Sequence, residues 1–124
     1  MARIDNQGSK WIRRSTRLAI YSRDGFCCVY CGKKVRGGKG TKGPGAANLD
    51  HLHPMELGGA STPDNLVTAC GTCNATKGSL PLPKFLAALR IKGVNTEILP
   101  ATIRRQLRTP LNRAEGRRLA AQGK

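Results

Sequence analysis

Two cysteine pairs, Cys28-x-x-Cys31 and Cys70-x-x-Cys73, constrain what this chain can fold into more than any other feature. Thiolates two residues apart on a tight turn can both reach one ion at about 2.3 Å, and two such turns complete a tetrahedron. The spacing therefore predicts a structural four-cysteine zinc site (Zn2+), with two disulfides as the alternative in an oxidising compartment. Residues 32–69 separate the pairs, a longer insert than the roughly 15–20 residues of a common zinc ribbon. Cys27 is a spare: paired with Cys31 it would enclose three residues, and its plain reading is a small buried hydrophobe.

Composition makes a staple necessary. The 124 residues suit one compact domain, yet 4% are aromatic and 15 are glycine, so the apolar core is thin. Zinc binding, worth on the order of 10 kcal/mol or more, replaces the missing core. The 22 Lys and Arg against 7 Asp and Glu give a net charge of +15, which points to a polyanionic partner. That excess is more than a small domain needs for solubility. No large aromatic or leucine face accompanies the charge, which argues against a membrane-surface helix. No apolar run approaches the roughly 20 residues of a bilayer span, and residues 1–14 lack the apolar region of a secretory signal. The expectation is a cytoplasmic protein without a membrane partner.

Along the chain, residues 9–23 read as a helix capped by Ser9 and ended by Asp24-Gly25, with Ile12, Thr16, Ala19 and Ile20 on one face. FCCVYCG (26–32) reads as a metal knuckle on a hairpin. KKVRGGKGTKGPG (33–45) is too rich in glycine and basic residues to pack a core and reads as a mobile loop. NLDHLHP is an extended, alternating stretch closed by Pro54. NLVTAC leads into a short helix that Lys77-Gly78 ends. Beyond Pro83 three helical pieces follow, the second starting at Pro100 and the third at Pro110 with Thr109 as its cap. The expected organisation is a domain over 1–82 and a basic helical extension over 83–124.

The insert carries the chemistry. The order Arg23-Asp24-Gly25, Cys28-x-x-Cys31-Gly32, Asp50-His51-x-x-Pro54, Gly58-Gly59, Asn65-Leu66, Cys70-x-x-Cys73-Asn74-x-x-Lys77 resembles the zinc-stapled HNH endonucleases of the ββα-metal (His-Me finger) group, over roughly residues 13–80. The resemblance implies a small α+β fold: a ββα-metal core stapled by the four-cysteine zinc site, flanked by an N-terminal helix and C-terminal helices. It implies His51 as general base, Asn65 as the residue holding that base in position, and Asp50 and Asn74 as ligands of a catalytic divalent cation. Asn74 stands where many members have histidine, and its neutral amide oxygen suits harder ions such as Mg2+ or Mn2+. Stand-alone proteins of this size resemble those encoded by phages, which implies a bacterial host cell and packaging proteins as partners.

The residues themselves also offer a case for the base and the cation ligand, with a turn carboxylate at Asp50 and a satisfied surface imidazole at His51 as the alternative. Phosphodiester hydrolysis needs a deprotonated water in line with the leaving oxygen and a cation to neutralise the charge gathering there. Histidine, with a reference pKa near 6.5, can accept that proton at physiological pH. Neighbouring strand residues point to opposite faces, so the strand must bend or end at Asp50-His51. His53 shares the face of His51 by alternation and is a second candidate, with a half-exposed strand residue as the alternative. Lys77, one turn beyond Asn74, is near enough to meet phosphate; a helix-surface lysine is the alternative.

Arg13, Arg14 and Arg17, the loop lysines Lys39 and Lys42, and Arg104, Arg105 and Arg108 are the candidate contacts to a DNA backbone. One active site cuts one strand at a time, so a double-strand break needs a homodimer or another partner. The rival from another class is a zinc-ribbon nucleic-acid-binding module without catalysis. A thiol redox protein fits less well, because neither cysteine pair opens a helix in a βαβ context.

Overall fold

The structure is a computed structural model, and it describes residues 12–38 and 41–123. The expected cap Ser9 and the candidate contact Lys39 lie outside the described residues.

Helix α1 spans Arg14–Arg23. Of the expected helix, residues 12 and 13 stay outside it: Arg13 is extended, and Ile12 sits in a bend, 5% exposed, packed with Ile20 and Leu66. The helix ends at Asp24-Gly25, with Gly25 at φ +71°, the left-handed conformation that glycine adopts without cost. Arg23 and Asp24 then tie this helix to the strand that leads into Cys70. The Arg23 guanidinium pairs with Asp24 at 2.8 Å and donates to the carbonyls of Pro63 and Leu66 at 2.9 and 2.7 Å. The Thr68 amide donates to Asp24 at 2.9 Å. Both side chains are fully buried, so every donor and acceptor needs such a partner.

The sheet is an antiparallel pair, β1 (Ala47–His51) and β2 (Leu66–Cys70), with Asp50 opposite Val67 and His51 opposite Leu66. The knuckle closes on the same strand, since the Val29 amide donates to Thr68 O at 2.9 Å. Helix α2 (Gly71–Lys77) continues directly from β2, so two strands and a helix form the centre of the fold. Then come α3 (Leu82–Ile91), α4 (Leu99–Arg108) and α5 (Arg113–Ala121). Helix α5 starts three residues after Pro110. Asn112 caps it by accepting the Glu115 amide at 3.0 Å, while Thr109 donates back to Arg105 O and closes α4 instead.

The core is built around the cysteines. Cys28, Val29, Tyr30, Val67, Ala69 and Cys70 pack with Phe85 from α3 and Ile103 from α4. Val35 joins them at 5% exposure. This corrects the expectation that 33–45 packs no core: Arg36 bridges to Ala46, and Arg14 donates to Gly37 O at 3.0 Å. A second cluster joins Leu18 and Tyr21 of α1 to Leu119 of α5. Among the described residues no helix is long and apolar enough to cross a membrane.

Candidate active site

The four sulfurs of Cys28, Cys31, Cys70 and Cys73 lie within 4.8 Å of one another. Cys31 Sγ and Cys70 Sγ are 3.8 Å apart, the edge of a tetrahedron whose centre-to-sulfur distance is about 2.3 Å, and far longer than a disulfide bond. The Cys73 amide donates to Cys70 Sγ at 3.4 Å, a further fit to thiolate. Burial, and then the charge of Cys28, push the Cys73 thiol well above its ordinary value. Four sulfurs this close therefore need a cation among them to be thiolates together, and zinc suits the set. Cys27 stands outside the cluster and bridges to Lys34.

A cavity of about 370 Å³ opens beside the end of β1. Asp50, His51, Glu56, Asn74 and Ser79 are among its lining residues. Asp50 and His51 reach one cavity despite being neighbours because β1 ends at His51 and the chain bends over the next two residues. Asn74 arrives from the first turns of α2.

Residues 28–80 match the model of the HNH endonuclease family. This segment is an HNH endonuclease domain. A segment of 82 residues, 65% of the chain, is 28% identical to the CRISPR-associated endonuclease Cas9 of Corynebacterium diphtheriae. It spans 7% of the length of that curated relative. No solved structure matches the chain.

Within the HNH domain, Asp50 is 4% exposed and both of its oxygens have donors. Tyr30 Oη donates to Oδ2, and the Lys77 ammonium meets Oδ1 at 3.2 Å. Burial pushes the Asp50 carboxyl up, against the pull of Tyr30 and Lys77. A carboxylate offers about four lone-pair directions, so Oδ1 and Oδ2 can still serve a cation alongside these donors. With Asn74 and the exposed Glu56 carboxylate in the same cavity, the donor set is all oxygen, which fits a hard divalent cation.

Lys77 is 1% exposed and points inward rather than to the surface, donating to His51 O at 2.8 Å. His51 Nε2 lies 3.0 Å from Ser61 Oγ, and Ser61 donates towards Met55 Sδ at 3.7 Å. Which of Nε2 and Ser61 Oγ donates to the other depends on the tautomer of the His51 ring. Burial lowers the His51 pKa from its ordinary 6.5, the Lys77 charge lowers it further, and Glu56 opposes both.

Asn65 does not line the cavity. Its amide brackets the chain after His51, accepting the His53 amide at 3.0 Å and donating to His53 O and Ala60 O at 3.1 and 2.8 Å. His53 turns away from the cavity, its Nε2 within 2.9 Å of Leu57 O. Sequence reasoning missed Tyr30, Glu56 and Ser61; the position of Tyr30 between two ligand cysteines was the one available signal.

The basic residues divide. Arg14 and Arg17 are tied down, on Gly37 O and on the Tyr21 hydroxyl at 3.2 Å. Arg13, Arg104, Arg105 and Arg108 are exposed. Lys42 lines a second cleft of about 560 Å³, which shares Asn74 with the first and includes Asn48 and Thr72.

Proposed function

We propose that the protein is a metal-dependent DNA endonuclease in which His51 is the general base. The observation that carries this reading is the convergence of His51, Asp50 and Asn74 on one cavity beside a sulfur cluster suited to zinc. Asp50 and Asn74 would hold the catalytic cation, Mg2+ or Mn2+, which neutralises charge on the phosphate and on the leaving oxygen. The neutral His51 ring takes a proton from a water whose oxygen attacks phosphorus. The new P–O bond forms as the ester P–O bond breaks, the leaving oxygen takes a proton from solvent and His51 returns its own, leaving a phosphate on one fragment and a hydroxyl on the other. Asn65 acts indirectly, by bracketing the chain that follows the base. The shared border of the two clefts at Asn74 supports a strand running from the catalytic cavity towards Lys42. The net charge of +15 supports DNA as the polyanion.

The test is supercoiled plasmid incubated with Mg2+, Mn2+ or Ni2+, comparing the unaltered protein with His51→Ala. Nicked circles that appear only with the unaltered protein and a cation support the reading, and linear product formed without nicked circles accumulating first would point to paired active sites. Plasmid that shifts in a gel yet stays supercoiled with every cation makes the protein a zinc-bound nucleic-acid-binding module instead.

A further inference from the structure

Tyr30 occupies the turn between two cysteines of the sulfur cluster. That turn is fixed on two sides. The Val29 amide donates to Thr68 of β2, and the Tyr30 ring stands edge-on to Phe85, centroids 5.0 Å apart at 86°. Held this way, the ring reaches past the core and its hydroxyl donates to Asp50 Oδ2. One side chain therefore has its root in the sulfur-held turn and its tip on the carboxylate of the catalytic cavity.

We infer that Tyr30 is a positioning residue for the catalytic cation, the strut through which the cysteine-held turn fixes the orientation of the Asp50 carboxylate. The inference rests on the reading of Asp50 as a cation ligand. Without the hydroxyl, Oδ2 loses its fixed donor while Oδ1 keeps Lys77, and the carboxylate is free to rotate towards the ammonium. Groups that hydrogen-bond to ligating carboxylates typically govern metal affinity by a factor of about 10–100.

The experiment uses the full zinc-loaded chain and Tyr30→Phe, which keeps the ring against Phe85 and removes only the hydroxyl. Leu119→Ala, in the α1–α5 cluster away from the cavity, serves as a variant that lowers stability alone. Zinc content, thermal midpoint, Mn2+ affinity by electron paramagnetic resonance and the Mg2+ concentration for half-maximal cleavage are measured on each. Tyr30→Phe is expected to retain its zinc, bind Mn2+ roughly ten-fold more weakly and need correspondingly more Mg2+. Leu119→Ala should leave both cation constants unchanged. Equal Mn2+ affinity in Tyr30→Phe and the unaltered protein overturns the inference. Unaltered protein that neither binds Mn2+ nor cuts plasmid overturns the nuclease reading beneath it, and the inference with it.

Should Tyr30→Phe fail to fold, 3-fluorotyrosine in the otherwise unaltered chain gives the answer, with Tyr21→Phe assigning the two resonances. The Tyr30 fluorine signal is expected to move along the Mg2+ titration with the half-saturation of cleavage. A signal that stays in place overturns the inference.

Discussion

The ammonium of Lys77 lies 3.2 Å from Oδ1 of Asp50 with both side chains out of water, 0% and 4% exposed. Removing one partner of such a pair strands the other charge in the interior. Lys77→Met should therefore cost about 3–5 kcal/mol in urea denaturation of the zinc-loaded protein. A loss under about 1 kcal/mol would show that the pair behaves like an exposed one.

Cleavage should depend on pH through His51. Burial first, and then Lys77, favour the neutral ring, so the base form predominates at pH 7 and is lost as pH falls through a value below 6.5. The acid limb of kcat/KM should accordingly lie below pH 6.5. Glu56 is the group that raises the His51 value, and Glu56→Gln should move that limb to still lower pH. A limb above pH 7 in the unaltered protein would contradict this assignment.

A glycine seats the last helix. A Cβ on Gly116 would come 2.1 Å from Ser15 O and 2.9 Å from the Ala19 side chain, so α5 can approach α1 only without one. Gly116→Ala should lower stability by about 1–3 kcal/mol, read as a fall in thermal midpoint, while leaving zinc content intact. An unchanged midpoint would mean that the helices separate without penalty.

Chelation should act on the whole core rather than on one turn, because Cys28 and Cys70 sit in the same cluster as Phe85 and Ile103. Removing the ion with a strong chelator is expected to abolish the cooperative thermal transition, monitored by circular dichroism, and zinc re-addition to restore it. Persistence of a sharp transition in metal-free protein would show that the thin core suffices.

Binding to DNA should weaken log-linearly with salt. Lys42 borders the cavity system and is exposed, so Lys42→Ala should reduce the salt slope by about one, measured by fluorescence anisotropy on non-cleaving His51→Ala protein. Arg14→Ala should have the smaller effect of the two, since its guanidinium already serves Gly37 O.

What was legible in the sequence was local. The cysteine spacing, the strand ending at Asp50-His51 and the helix stop at Gly78 are written in neighbouring residues. One helix start was displaced by a distant contact, Ile12 packing with Leu66 ahead of α1, and another by a local cap that the proline signal obscured, Asn112 on the Glu115 amide. Periodicity also placed His53 beside His51, but the bend after the strand cancels that alternation. Lys77 reads as a surface residue because its partners, Asp50 and the His51 carbonyl, lie on another element 27 and 26 positions away. Val35 entered the core from a stretch of glycine and lysine because the Arg36–Ala46 bridge carries it there.

The pairing of α1 with α5 bears on how the molecule is made. At roughly 5–20 residues per second, a ribosome delivers residues 113–121 on the order of ten seconds after residues 14–23. Through that interval Leu18 and Tyr21 of the nascent chain lack the cover that Leu119 later provides. Cys73 emerges well before that cover, so ion capture can precede docking of the last helix and leave a half-built intermediate with a sticky flank for chaperones to shield.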